Sequence, residues 1–312
     1  MTHAPILSPP GRTAAPHPET TAFALSALAA IFWGTNFEAT RIVLQDLPPW
    51  TAAAGRFCIA AAAILVWLRL TEGFDLAALR RNALAFAVMG IVGIFGFNAA
   101  LFLGMRTSSP VTAALIMGTS PLTTSLLDAL IQRQAPRPIA VVGMIIGLLG
   151  VALTVGAFSG ARFSGGDLLI LGGSLAWAIY TIGCRRWVRG ATPLASATWT
   201  MLVGALALIL VALLFESPAA SLADASVTAW TAILWMAIPG SVLAYLFWQV
   251  GIARRGPAAT SVLFNLVPVA ALLVATAFGR IPAPTQVLGV AVAILGVMIA
   301  SGRLPLSRRP IH

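Results

Sequence analysis

The chain has 312 residues, of which 59% are apolar and only 9% are charged, whereas soluble domains carry about a quarter charged residues. This composition excludes a water-soluble globular protein and indicates an integral membrane protein. All 19 basic residues are Arg and the formal net charge is +10. The absence of Lys excludes a phosphate-binding loop ending in Gly-Lys-Ser/Thr. Because the arginines sit in short loops between apolar runs, their charge does not indicate nucleic-acid binding.

Ten apolar runs follow an N-terminal tail, residues 1–22, whose composition of Pro, Thr and Ala predicts disorder. Each run has about 18–25 residues, the length at which a helix crosses a bilayer. A cleavable signal is not expected in the first run, because that stretch continues as a helix to Val43. A second tail follows at 303–312. The predicted spans are 23–43, 50–70, 84–105, 110–131, 138–156, 166–187, 193–215, 228–252, 257–278 and 285–301.

The distribution of arginines between alternate loops predicts the orientation of the spans. The two tails and every second loop together hold 14 arginines, and the opposite side holds four. Cytoplasmic loops of membrane proteins are enriched in basic residues. Both tails are therefore expected in the cytoplasm. The four arginines on the other side are Arg41, Arg106, Arg162 and Arg280.

The second half of the chain repeats landmarks of the first half, which predicts two units, 23–157 and 166–302. Each unit holds five predicted helices, and an odd number means that the second unit enters the membrane upside down. Inverted repeats of this kind are typical of secondary transporters, whose substrate site lies near the midplane between the halves. The matching pairs are Trp33 and Trp177, Arg41 and Arg185, and Pro49 and Pro193, all 144 positions apart, together with Pro110 and Pro257, and Pro121 and Pro268, 147 apart.

The chain resembles the EamA type of the drug/metabolite transporter superfamily. The resemblance rests on the motif Trp33-Gly34-x-Asn36, on the number of helices and on the prolines within the fourth and ninth helices. The resemblance covers residues 23 to 302, and the chain looks most similar to exporters of aromatic amino acids. It implies an all-α, ten-helix protein of the bacterial inner membrane that exports amino acids or related metabolites by alternating access. In the second half, the position that corresponds to Gly34 is occupied by Ala178. The close helix approach that Gly34 implies for the first helix therefore need not recur in the sixth.

Two prolines, Pro121 and Pro268, lie in the middle of the fourth and ninth predicted spans. Proline removes a backbone hydrogen bond and displaces the carbonyl four residues earlier, here that of Met117 or Phe264. In a membrane the freed carbonyl needs another partner, so such breaks sit against protein or a water-filled cavity. A packing kink is the alternative for one proline, but the matched pair favours a cavity shaped by both breaks. A further break is expected at Pro239-Gly240.

Polar and aromatic side chains recur three and four positions apart on several predicted helices, which places each set on one face. Hydrogen bonding between helices is the alternative for Asn, Gln and Ser, and the interfacial belt is the alternative for Trp and Tyr. An aromatic-lined site with few charges suits an amphipathic molecule, whose amino and carboxylate groups are held by amides and a hydroxyl. The predicted substrate-binding residues are Trp33, Asn36, Asn98, Trp177, Tyr180, Tyr245, Trp248, Gln249 and Asn265.

Only two carboxylates, Glu38 and Asp128, lie well within the predicted spans, with Asp167 at the mouth of the sixth, and all three histidines lie in the tails. Arg41 is one helical turn from Glu38, Arg56 is on the next helix, and Arg133 follows Asp128. Structural ion pairs are therefore expected at both carboxylates rather than proton carriers. Facilitated transport without ion coupling is the consequence.

Other classes of function are less well supported. A membrane enzyme would need a catalytic cluster, and a channel would need rings of like polar groups. A proton-coupled drug or nucleotide-sugar carrier is the alternative within the transporters, and Arg56 is the only mid-helix cation that a nucleotide carrier would require in its cavity. Cys58 and Cys184 form no Cys-x-x-Cys pair, so neither a metal nor a cofactor is predicted. The expected partners are lipid and a small-molecule substrate, and the chain is expected to function as a monomer.

The arginine distribution leads to a test of topology. A reporter enzyme that is active only in the periplasm should give no signal when fused after His312, because the positive-inside rule retains that end in the cytoplasm. The same reporter inserted within residues 217–226 should be active. The opposite pair of signals would contradict the predicted orientation.

Overall fold

The structure is a computed structural model that describes residues 18–133, 138–154 and 164–300. In these ranges ten long helices account for most of the chain, and a short helix, Pro218–Asp224, follows the seventh. The helices are α1 (Pro18–Asp46), α2 (Pro49–Thr71), α3 (Leu76–Gly104), α4 (Pro110–Ile131), α5 (Pro138–Thr154), α6 (Gly165–Trp187), α7 (Pro193–Phe215), α8 (Val227–Arg255), α9 (Pro257–Ser261, Val262–Asn265 and Leu266–Ala277) and α10 (Pro284–Ala300).

Eight of these helices are long and apolar enough to cross a membrane, which confirms a multi-pass helical membrane protein. The helices α5 and α10 have 17 residues each, which corresponds to about 26 Å at 1.5 Å per residue and is slightly less than a hydrocarbon core. Crossing by this pair stays a prediction, as do the inversion of the second half and the cytoplasmic termini.

Several helices begin earlier than the apolar runs predicted. The first helix begins at Pro18 rather than at residue 23, so the predicted tail 1–22 is shortened by its last five residues. The third begins at Leu76 rather than at residue 84, because the Asp75 side chain accepts a hydrogen bond from the Ala78 N–H and caps a polar first turn. Residues 1–17 and the predicted tail 303–312 lie outside the described residues.

The two halves of the chain interlock through matching helix pairs. The helices α2 and α7 pack on each other, as do α4 and α9, and α5 and α10. In addition, α1 packs on α8 and α9, and α6 packs on α3 and α4. Each helix of the first half therefore has a partner in the second half, and the corresponding helices occupy corresponding places.

Glycines allow backbones to touch at two of these contacts. A Cβ atom placed on Gly34 would lie 2.7 Å from the Val267 carbonyl oxygen of α9, and one placed on Gly150 would lie 2.6 Å from the Gly289 carbonyl oxygen of α10. Both distances are too short for a side chain, so only glycine permits the packing. The expected close approach at Gly34 is thus present.

Four helices depart from α-helical geometry, and they form two matching pairs. A π-helical segment occupies Gly90–Gly96 in α3, and another occupies Ile238–Leu243 in α8. Near Pro121 the fourth helix is interrupted at Thr119, whose hydroxyl donates to the Ile116 carbonyl at 2.6 Å. A 3₁₀ turn precedes Pro268 in α9. The breaks at both prolines and at Pro239-Gly240 were predicted, whereas the π segment of α3 was not.

Candidate functional site

A small cavity lies at the centre of the structure, between helices of both halves. Its volume is about 20 Å³, enough for about one water molecule. Five of its nine lining side chains are aromatic, one is charged and one is an amide. The lining residues are Trp33, Asn36, Phe37, Arg56, Phe97, Leu101, Met117, Trp177 and Phe264.

Trp33 lies at the centre of an aromatic cluster that surrounds the cavity. Its ring centroid is 5.0 Å from that of Trp177, 5.2 Å from that of Phe264 and 5.6 Å from that of Tyr245. The Trp33–Phe264 pair is stacked, and the other two pairs meet edge to face. Such pairs stabilise a packed core by roughly 0.5–1.5 kcal/mol each beyond burial. The cluster therefore holds the two tryptophans, one from each half, in a fixed arrangement.

The polar side of the cavity is organised by one backbone carbonyl, that of Gly240. It accepts hydrogen bonds from Trp33 Nε1 at 3.1 Å, from Asn36 Nδ2 at 3.4 Å and from Arg56 Nη2 at 3.0 Å. Gly240 lies within the π-helical segment of α8, and such segments shift the backbone ladder and make carbonyls available to other donors. The π segment is thus the local feature that positions three side chains.

The nine residues predicted to bind substrate fall into three groups. Trp33, Asn36 and Trp177 line the cavity. A layer behind them is buried and contacts them or each other. Asn265 is half-buried, and its Oδ1 has no hydrogen-bond partner among the described residues. The members of the buried layer are Asn98, Tyr180, Tyr245, Trp248 and Gln249.

The buried layer is held by hydrogen bonds. Gln249 Nε2 donates to the Tyr180 hydroxyl at 2.7 Å and approaches Cys184 Sγ at 3.3 Å. Asn98 Nδ2 donates to the Ile94 carbonyl at 2.7 Å. These residues therefore support the cavity wall, and a direct role in binding stays a prediction for them. The two prolines predicted to shape the cavity lie where α4 meets α9. The ring of Pro268 packs against Gly118, and Pro121, three residues after Gly118, is buried.

Six lining residues were missing from the predicted set, and Arg56 is the most informative of them. An ionisable residue in the middle of an apolar span is a signal of function, but from the sequence Arg56 was expected only as a potential partner of Glu38. In the structure Glu38 pairs with Arg41, at 2.8 Å from Nε, and with Arg280. The ion pair at Glu38 is thus confirmed, and Arg56 is not part of it. The other missed residues are Phe37, Phe97, Leu101, Met117 and Phe264.

The expected ion pair at Asp128 is not formed. Its carboxylate accepts a hydrogen bond from Gln132 Nε2 at 2.5 Å, one turn further along α4. Among the described residues no salt bridge to Asp128 is present, and Arg133 adopts a left-handed backbone conformation with φ of 55° just after the helix ends. The helix ends at Ile131, so Arg133 does not continue the helical face that carries Asp128.

An aromatic-lined cavity between helices of two matching halves is typical of a membrane transporter. The chain belongs to the EamA-like transporter family, within the drug/metabolite transporter superfamily. The family's sequence pattern matches twice, over residues 20–156 and over residues 164–302.

Individual relatives span nearly the whole chain. The uncharacterized transporter YyaM of Bacillus subtilis is 41% identical over 283 residues, which cover 88% of this chain and 92% of the relative. The aromatic amino acid exporter YddG of Ancylobacter novellus is 27% identical over 272 residues, with 86% and 91% covered. A probable terminal-alkyne amino-acid exporter of Streptantibioticus cattleyicolor is 24% identical, with 90% and 93% covered.

A crystal structure of 24% sequence identity aligns with a TM-score of 0.70 and covers 92% of this chain and 99% of that one. At this identity the likeness shows that the fold is shared.

The two central tryptophans should respond differently to the same substitution. Trp33→Phe keeps a ring but loses the hydrogen bond to Gly240, whereas Trp177 Nε1 has no hydrogen-bond partner among the described residues. We therefore expect Trp33→Phe to lower stability by about 1 kcal/mol more than Trp177→Phe, the typical net contribution of one hydrogen bond. Thermal unfolding of the two purified variants measures the difference. A larger loss for Trp177→Phe would contradict the assignment.

Proposed function

We propose that the chain is a secondary transporter that exports amino acids, aromatic or otherwise neutral, or related metabolites across the bacterial inner membrane by alternating access. The observation that carries the proposal is the pair Trp33 and Trp177, which lie 144 positions apart, come from different halves and meet at the central cavity. Two of the relatives are named as amino-acid exporters. An aromatic, weakly charged cavity suits the apolar side chain of such a substrate.

The small volume of the cavity bears on how such a substrate enters. A space of about 20 Å³ holds about one water molecule, so an amino acid is admitted only when helices separate. The π segments of α3 and α8 and the interruptions of α4 and α9 come in matching pairs, and non-α segments are places where a helix bends. We assign the opening motion to these four helices.

The proposal includes ten spans with both termini in the cytoplasm, two inverted halves, and action as a monomer, because one chain encloses the whole cavity.

It also includes transport without ion coupling. Glu38 forms salt bridges with Arg41 and Arg280, which favours a structural role for this carboxylate over a proton-carrying one. A proton-coupled drug or nucleotide-sugar carrier is the alternative, and it would place a titrating carboxylate in the transport cycle.

Removing a central tryptophan should abolish most transport without unfolding the protein. Trp177→Ala takes away a ring that lines the cavity, and we expect efflux of phenylalanine to fall about tenfold or more. The matched control is Trp187→Ala, which removes an exposed ring at the end of the same helix. Efflux from cells that lack their own exporters is measured, together with the amount of folded protein. Equal efflux in both variants would contradict a central site.

Coupling is tested with the purified chain in liposomes. Phenylalanine should move down its own gradient without a pH difference or a voltage, and Glu38→Gln and Asp128→Asn should retain that flux if they fold. Neither substitution removes a group that the proposed cycle uses. Uphill accumulation driven by a pH gradient, and its loss in either variant, would show that transport is proton-coupled and would identify the carboxylate concerned.

A further inference from the structure

The only charged side chain that lines the central cavity is that of Arg56, within the part of the chain that the structure describes. Arg56 lies in α2 and is only 2% exposed. Three of its N–H groups are bound: Nε donates to Ser241 Oγ at 2.8 Å, Nη2 to the Gly240 carbonyl at 3.0 Å and Nη1 to Asn98 Oδ1 at 3.4 Å. All three acceptors are neutral groups. The guanidinium is therefore oriented by the protein, but its charge is not balanced by them.

No carboxylate forms a salt bridge with Arg56 in residues 18–133, 138–154 and 164–300. Of the buried carboxylates in the described helices, Glu38 is paired with Arg41 and Arg280, and Asp167 accepts hydrogen bonds from the Ser108 hydroxyl and the Ser164 N–H. The Phe57 ring, with its centroid 4.8 Å from Arg56 Cζ, supplies a weaker cation–π contact. A guanidinium keeps its charge in proteins, and a buried charge without an opposite charge is costly. A net positive charge thus remains at the cavity.

The donors that remain suit a particular anion. A guanidinium has five N–H groups, so the three bonds leave one N–H on each of Nη1 and Nη2. Two parallel N–H groups on the terminal nitrogens bind a carboxylate through both of its oxygens. Asn36 lines the same cavity, and its buried Oδ1 has no hydrogen-bond partner among the described residues. An ammonium group next to the carboxylate would provide the missing donor.

The rest of the cavity lining is apolar or aromatic: Trp33 and Phe37 lie on α1 beside Asn36, and the other five residues lie on α3, α4, α6 and α9. The polar pair, Asn36 and Arg56, comes from α1 and α2, whereas Phe97, Met117 and Phe264 come from α3, α4 and α9. A bound molecule therefore meets polar groups only on α1 and α2, whereas α3, α4, α6 and α9 offer it an apolar surface. One guanidinium balances one negative charge, which favours a monocarboxylate over a nucleotide diphosphate.

We propose that Arg56 binds the carboxylate of the transported molecule and thereby selects monocarboxylates with an apolar side chain, with Asn36 Oδ1 as the acceptor for an adjacent ammonium group. This inference rests on the proposed function, because it assigns the substrate class of the same cavity. It differs from the sequence-based expectation, in which amides and a hydroxyl held the carboxylate.

The test compares four probes on the purified full-length chain: L-phenylalanine, 3-phenylpropionate, L-phenylalanine methyl ester and phenethylamine. The first two carry a carboxylate and the last two do not. Binding is measured by the change in tryptophan fluorescence, and each variant is first checked for folded, monodisperse protein. We expect the two carboxylates to bind about tenfold or more tightly than the other probes, as charge-assisted bidentate bonds imply.

Three variants localise the effect. Arg56→Gln should reduce the preference for carboxylates to about twofold or less, and Arg56→Lys should give an intermediate preference, because it keeps the charge but loses the two-pronged geometry. Arg186→Gln, which removes an exposed charge at the end of α6, should match the unaltered chain.

Several outcomes would overturn the inference. They are equal binding of ester and acid by the unaltered chain, no binding of either carboxylate at about ten millimolar, and an undiminished preference in Arg56→Gln. The comparison of probes on the unaltered chain decides the question even where a variant fails to fold. If 3-phenylpropionate binds in an Arg56-dependent manner while no amino acid is moved in liposomes, the carboxylate site stands and the proposed export of amino acids fails.

Discussion

The carbonyl of Gly240 is the acceptor on which the centre of the structure depends. Inside a membrane no bulk water is available, so every buried donor needs an acceptor within the protein. Trp33, Asn36 and Arg56 come from two different helices, and all three donate to this single oxygen. A regular α-helix would occupy the carbonyl with its own ladder bond. The π segment of α8 therefore connects the backbone of the second half with the cavity-lining side chains of the first.

The corresponding place in the other half is built differently, and the comparison explains why the cavity has one polar end. Position 147 before Gly240 is Gly93, which also lies in a π segment, but it packs against the ring of Tyr180. Tyr180 corresponds to Asn36, and Thr200 corresponds to Arg56, both at an offset of 144. The Tyr180 and Thr200 hydroxyls are 3.4 Å apart. A neutral pair of hydroxyls thus replaces an amide and a cation, so two similar scaffolds enclose an asymmetric space.

Much of the fold could be predicted from the sequence, because membrane spans and repeats leave regular signals. Runs of apolar residues identified the helices, and Trp33 with Trp177 identified the centre. The helix starts at Pro18 and Leu76 could not be predicted from hydropathy, since polar first turns and caps lie outside the apolar core. The π segment of α3 left no signal either, because Gly90–Gly96 contains only Gly and apolar residues.

The site was predicted less completely, for a physical reason. Spacing along one helix shows which side chains share a face, but it does not show which faces meet. Arg56 was visible as a cation inside a span, yet its distance from Glu38 depends on how α2 is rotated against α1 and α8. Contacts across the chain, to Ser241 and Gly240, decided its partners. Conversely, Gln249 shares a helix with Tyr245 and Trp248 but bonds to Tyr180 behind the cavity.

The glycine contact between α5 and α10 has a consequence for movement. Neither helix contributes a residue to the lining of the central cavity, yet each is the last helix of its half, and the two backbones touch at Gly150 and Gly296. Flexible side chains at a contact tolerate sliding by changing rotamer, whereas touching backbones do not. The seam between these helices therefore resists sliding of one helix along the other, and it ties the ends of the two halves together.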